Sequence, residues 1–208
     1  RMIFIIVVIL YVVKQHIIPA LEEVMKPIHN KDIFHIIQQF IHISLPNTYV
    51  WLLGFYFLFH LWLNFLAEIT RFGDREFYRD WWNAKTFDEY WRLWNLPVHY
   101  WMLRHLYYPL IRSKLNKFAI ILIIFLFSAV LHEVIISVPF RRISYHSFAG
   151  MLFQAPLVIL TRKFNNIING NNNITGNIIF WVIFCIIGQP VGVVMYYYES
   201  WIAGKESN

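Results

Sequence analysis

From Phe118 to Val138 the chain reads FAIILIIFLFSAVLHEVIISV, 21 residues with one formal charge, at Glu133. As a helix this stretch rises about 31 Å, enough to cross the ~30 Å hydrocarbon core of a bilayer. An apolar rod of that length constrains the fold more than any other feature, because in lipid the backbone must satisfy its own hydrogen bonds. Similar runs occupy Met2–Val13, Tyr49–Ala67 and Asn177–Tyr198. A shorter one, Phe148–Leu160, carries Gly150, Gln154 and Pro156, so it is expected to bend and to turn Gln154 toward protein rather than lipid. Pro190, in IGQP, predicts a kink in the last run.

The predicted fold is therefore all-α: a polytopic integral membrane protein with four to five transmembrane helices. Composition agrees, with 58% hydrophobic and only 14% charged residues against about 25% charged in soluble domains. Arg1 is followed at once by an apolar run with no small-residue cleavage site, which is not a signal peptide and reads as the interior of a longer protein. Cys185 is the one cysteine, which excludes an internal disulfide and a cysteine metal cluster. The net charge is +6, but the basic residues are interleaved with the apolar runs. That distribution suits anionic lipid or an anionic small substrate, not nucleic acid.

Residues 70–117 form the longest polar segment, yet it holds Trp81, Trp82, Trp91, Trp94 and Trp101. Amphipathic helices at the membrane surface account for tryptophan and arginine together. A helix is expected over Phe87–Leu96, with Asp88 and Glu89 in its first turn and Pro97 ending or kinking it. Asn95, just before that proline, has the side chain of a helix cap. The segment is far more basic than the loop holding Arg141 and Arg142, so the positive-inside rule assigns it to the cytosol. Asn165–Asn177 is asparagine-rich and reads as a disordered loop; its sequon, Asn173-Ile174-Thr175, falls on the cytosolic side and so escapes glycosylation.

His132 and Glu133 lie within the third run, and Ser128, four residues before His132, shares its face. An acidic side chain at a span's centre costs about 2.5–3.5 kcal/mol, so such residues face a bundle interior or a cavity. Two readings stand: a polar pair that ties helices together, or acid–base chemistry by an imidazole whose ordinary pKa is about 6.5. HEVII lacks the second histidine of a zinc-binding HExxH, so no metal is expected.

FGDREFYRDWWN (Phe72–Asn83), WNLPVHYW with the later RHLYYP, the histidine of SAVLHEVIISVP, and IGQP occur in that order. Together they resemble the membrane-bound O-acyltransferase (MBOAT) superfamily, in its acyl-CoA:cholesterol/diacylglycerol acyltransferase branch, and most closely the type-1 diacylglycerol O-acyltransferases. The likeness covers about residues 19–202 and corresponds to the C-terminal portion of the family's enzymes, part of a single MBOAT domain. It implies acyl transfer from acyl-CoA to diacylglycerol in the endoplasmic reticulum membrane, with no cofactor beyond the co-substrate and with the full-length protein a homo-oligomer.

The resemblance also implies site residues. His132 is the catalytic base, with Asn95 and Glu133 beside it. Phe77, Tyr78, Asp80, Trp81, Trp82 and Asn83 form the acyl-CoA motif. Trp91, Trp94, His99, Tyr107 and Ser128 line the acyl-CoA site, and Gln154 and Gln189 the acceptor pocket. Arg92 stands where relatives have a smaller polar side chain. Glu133 has two readings, orienting His132 or bracing a neighbouring helix. Alternatives in activity are a sterol or wax-alcohol acyltransferase of the same branch and, from another class, a non-catalytic lipid-binding or proton-coupled transport protein.

Overall fold

A computed structural model describes residues 1–140, 143–168 and 174–206, and every regular element among them is helical. The chain divides into two compact units, residues 1–75 with 182–208, and residues 76–181.

In the first unit, α1 (Met2–Val12) passes through a π-turn at Val13–Ile17 into α2 (Ile18–Asn30). The apolar run thus ends at Val13 but the helix does not. Its extension is amphipathic, burying Ala20, Leu21, Val24 and Met25 while Glu22 and Glu23 stay exposed. Helix α3 (Ile33–Phe55) likewise begins well before the Tyr49 expected from hydropathy, and a π-segment at Tyr56–Trp62 joins it to α4 (Leu63–Thr70). Pro46 sits inside α3. On either side of it, the Ser44 and Thr48 hydroxyls donate to the Phe40 and Ser44 carbonyls at 2.7 Å, each bonding back one turn along the same helix.

Both rods stop by the same device. Lys31 and Arg71 take left-handed φ values of 56° and 54°. The following N–H groups of Asp32 and Phe72 bond back to the carbonyls of Pro27 and Ala67, the Schellman closure usually given to glycine. The core joins Ile17, Ala20, Leu21, Val24, Met25, Ile43 and Val194, the last from α11 (Gln189–Glu206).

The second unit holds the polar segment and two long helices, α8 (Lys117–Phe140) and α9 (His146–Ile168), packed along each other. Ala129 of α8 is wholly buried, as expected where small residues let helices approach closely. The segment expected to be one helix up to Pro97 is two: α5 (Phe87–Leu93) and α6 (Leu96–Met102), the latter continuing through a π-turn at Leu103–Tyr107 into α7 (Tyr108–Arg112). Pro97 occupies the first turn of α6, where a missing N–H costs nothing, so it starts a helix instead of ending one.

The asparagine-rich stretch, expected as a loop, is helical at both ends. Helix α9 continues to Ile168 and α10 (Ile174–Val182) already includes Asn177; residues 169–173, with the asparagine of the sequon, lie outside the described residues. Asparagine lowers helix propensity by only about 0.7 kcal/mol per residue, so Asn165 and Asn166 do not bar α9 from continuing.

Four helical rods among the described residues are long and apolar enough to cross a membrane: Met2–Asn30, Ile33–Thr70, Lys117–Val138 and Ile174–Ile202. The protein is a multi-pass membrane protein.

Candidate active site

The imidazole of His132 is half-buried on α8. Its Nδ1 lies 2.8 Å from the backbone carbonyl of Ser128, one turn earlier, and 3.4 Å from the Ser128 hydroxyl. A carbonyl oxygen can only accept, so Nδ1 carries the hydrogen in the neutral ring, and the lone pair is left on Nε2. Helix geometry alone sets up this tautomer, since residues i and i+4 share a face.

Trp91 of α5 meets that imidazole edge to face, with ring centroids 6.4 Å apart and planes at 87°. The Trp91 indole N–H donates to Gln154 Oε1 of α9 at 2.8 Å. Three elements thus converge at His132, and Gln154 turns toward protein as its polarity suggested. Trp94 packs edge to face on Trp91 at 5.8 Å and stacks on Tyr90 at 5.9 Å. Tyr90 is buried, and burial pushes its phenol pKa far up, so it stays neutral.

Glu133 points its carboxylate elsewhere. Oε1 accepts from the Ser137 hydroxyl at 3.0 Å and from the backbone N–H groups of Ser144 and Tyr145 at 3.1 Å; Oε2 accepts from the N–H of Phe148 at 3.1 Å. Those amides belong to the turn into α9 and its first turn, whose donors have no partners within the helix. A buried carboxylate that satisfies them ties α8 to α9. Of the two sequence readings of Glu133, bracing a neighbouring helix is the one this geometry favours.

The FYRDWWN segment and the WNLP junction form one unit through their backbones. The N–H of Arg79 donates to the Leu93 carbonyl at 2.8 Å, and the N–H of Leu96 donates to the Phe77 carbonyl at 3.0 Å. Asn95 lies within this clip. Its Oδ1 accepts from the N–H of Val98 at 3.2 Å, so Asn95 caps α6, and its Nδ2 is the donor that remains for a ligand. Thr86 caps α5 in the same way, accepting from the N–H of Glu89 at 3.2 Å.

Within the motif, Phe77 and Trp81 are core residues. Trp81, Trp82 and Asn83 make a single 3₁₀ turn that follows Asp80, and Tyr78 meets the Trp82 ring edge to face at 6.4 Å. Asp80, Trp82 and Asn83 are exposed. Phe77 and Trp81 thus anchor the motif in the core, and the backbones of Phe77 and Arg79 hold the junction of α5 and α6. Asn177, which ends the expected loop and opens the last apolar run, donates from Nδ2 to the carbonyls of Trp82 at 2.9 Å and Ala84 at 2.8 Å. Its signal was slight: an asparagine directly before an apolar run.

Beside the clip is a cleft of about 240 Å³ lined by Arg79, Glu89, Arg92, Leu93, Leu96, His99 and Tyr100. Arg79 forms a two-pronged pair with Glu76 at 2.8 and 2.9 Å, and Arg92 lies 3.2 Å from Asp88. Arg79 holds the Glu76 carboxyl below the usual range. The His99 pKa is lowered, first by burial and then by the Arg92 charge, against a smaller opposing pull from Asp88. An imidazole and two guanidinium groups, each of the latter already paired with a carboxylate, give this mixed polar and apolar cleft hydrogen-bond donors for a ligand.

Tyr107 ends the π-turn after α6 and touches Tyr108 edge to face at 5.9 Å. Gln189 begins α11, in the first unit. Of the expected acyl-CoA residues, Trp91 and Ser128 touch His132, Trp94 packs on Trp91, and His99 lines the cleft.

The sequence model of the MBOAT, membrane-bound O-acyltransferase family, matches residues 2–197. Similar curated proteins include diacylglycerol O-acyltransferase 1C of Glycine max, 49% identical over 189 residues, which is 91% of this chain and 36% of that protein. Diacylglycerol O-acyltransferase 1 of Arabidopsis thaliana is also 49% identical, with the same shares of both chains covered. The Dictyostelium discoideum protein of that name is 46% identical over 91% of this chain and 30% of its own length. The chain thus spans about a third of the length of the curated relatives it matches. With the family match running over nearly its whole length, the chain belongs to the membrane-bound O-acyltransferase family.

Proposed function

We propose that the full-length protein carrying this chain transfers a fatty acyl group from acyl-CoA to the free hydroxyl of diacylglycerol, forming triacylglycerol in the endoplasmic reticulum membrane. The observation that carries the reading is the His132 ring, locked by the Ser128 carbonyl with Nε2 as the free base, on a membrane-spanning helix. The names of its relatives supply the acceptor and the acyl transfer; acyl-CoA as the donor is what the family resemblance implies.

In this mechanism Nε2 of His132 takes the proton of the acceptor hydroxyl as its oxygen attacks the thioester carbon. Positioned base catalysis of this kind contributes about 10²–10⁴-fold in rate. The tetrahedral intermediate collapses with loss of CoA thiolate, whose pKa resembles the ~8.5 of a free cysteine, so it departs without strong acid help. The imidazolium returns its proton to the thiolate, leaving ester, free CoA and neutral His132. No covalent acyl-enzyme is required.

The Nδ2 of Asn95 serves as a donor to the thioester oxyanion or to the CoA arm. Arg79, Arg92 and His99 receive polar parts of CoA at the cytosolic face, and diacylglycerol enters through the bilayer. Gln154 and Glu133 act as positioning residues: Gln154 fixes the ring against His132, and Glu133 fixes the helix behind it.

The test is an acyltransferase assay of the full-length protein with labelled acyl-CoA and diacylglycerol, sterol and long-chain alcohol as acceptors, beside its His132→Ala form. Diacylglycerol esterification that His132→Ala abolishes is the expected result. Sterol or wax-ester formation without triacylglycerol overturns the acceptor, and transfer that survives His132→Ala overturns the base.

A further inference from the structure

We infer that Asn177, at the start of α10, is a positioning residue for acyl-CoA binding, acting through the backbone of the turn after FYRDWWN. The inference rests on the functional reading above and deepens it.

One side-chain amide holds two carbonyls of a single turn: Asn177 Nδ2 donates to Trp82 at 2.9 Å and to Ala84 at 2.8 Å. The indole N–H of Trp181, four residues on and so on the same helix face, donates to the Trp82 carbonyl at 3.0 Å. Three bonds from one face of α10 therefore fix the chain where the 3₁₀ turn ends. Ala84 is wholly buried there, with no side-chain bulk to hold the turn by itself.

What the turn carries on each side makes its position matter. Upstream, Arg79 and Phe77 are clipped to Leu93 and Leu96, which sets the Arg79 wall of the cleft against His99. Downstream, Thr86 caps α5, the seven-residue helix that brings Trp91 to His132 and Arg92 to the cleft. A displacement of the Trp82–Ala84 backbone is passed on to the cleft through two short rigid pieces. The His132 tautomer is set within α8 and does not depend on it.

This separation predicts a split between kinetic constants. In the full-length enzyme, Asn177→Leu keeps the side chain's size but loses both donors, and the KM for acyl-CoA should rise about tenfold, the scale of one or two lost hydrogen bonds. The KM for diacylglycerol should change less than about twofold, as expected when only one substrate's contacts are disturbed. Trp181→Phe keeps an aromatic ring, removes one donor and should raise the acyl-CoA KM by about threefold; it serves if Asn177→Leu folds poorly. The Kd of a non-hydrolysable thioether analogue of acyl-CoA should move in parallel with the KM. Loss of kcat in proportion to folded protein, with both KM values and the analogue Kd unchanged, makes Asn177 merely structural and overturns the inference. Unchanged kinetics in both variants does the same. A wild-type protein that neither binds the analogue nor turns over acyl-CoA overturns the functional reading first and this inference with it.

Discussion

Trp91 and Gln154 are 63 residues apart in sequence, yet the indole N–H of one donates to the amide oxygen of the other at 2.8 Å, and the same indole presents its ring to His132. The bond fixes the Trp91 ring plane. Gln154→Leu leaves a half-buried indole N–H without its acceptor, a cost of roughly 1–3 kcal/mol. Acyl transfer should fall by about tenfold or more, and Gln154→Glu, which keeps an acceptor oxygen, should recover most of it. Steady-state kinetics of the two variants checks this.

Glu133→Ala exposes the opposite kind of dependence. It strands the N–H groups of Ser144, Tyr145 and Phe148 and should lower stability by on the order of 3 kcal/mol, seen as a large drop in the thermal midpoint in detergent. Glu133→Gln keeps acceptor capacity on one oxygen and should be milder in stability and in activity alike. A Glu133→Gln protein with wild-type stability and no transfer would instead assign the carboxylate to chemistry.

Asn95 has a cap role and a donor role that one pair of substitutions separates. Asn95→Ala should lose about 1 kcal/mol from the missing cap of α6 as well as activity. Asn95→Ser restores a capping oxygen but offers no amide donor, so it should regain the stability and remain slow. Full activity in Asn95→Ser reduces Asn95 to a cap.

His99 links pH to stability. Its folded pKa is lowered, so below the ordinary histidine value of about 6.5 the unfolded chain binds a proton that the folded chain resists. Stability from this group is complete above that value and declines as pH falls through the window between the two pKa values. His99→Gln should flatten the difference in thermal midpoint between pH 7.5 and 5.5. Arg92→Gln should narrow it, because burial, the larger cause, remains.

Apolar length made the spans legible: Phe118–Val138 is expected and α8 covers Lys117–Phe140. Where hydropathy stopped and the helix did not, as after Val13 and before Tyr49, an amphipathic or a proline-bearing stretch carried the backbone on, and neither raises the apolar signal. His132 and Ser128 could be paired by spacing alone because both lie on one helix. The Trp91–Gln154 bond and the Asn177 clamp could not, since each depends on tertiary packing between distant segments. Pro97 was ambiguous for a local reason: the same residue that halts a helix in its interior is welcome in its first turn.

The clip between FYRDWWN and WNLP is built from peptide N–H and carbonyl groups of Phe77, Arg79, Leu93 and Leu96, with no side chain taking part in its two bonds. Short of proline at Arg79 or Leu96, a point mutation cannot delete either bond outright. Evolution can therefore exchange the groups that face the cleft, Arg92 among them, and retune its ligand preference one side chain at a time while the junction beneath keeps its shape.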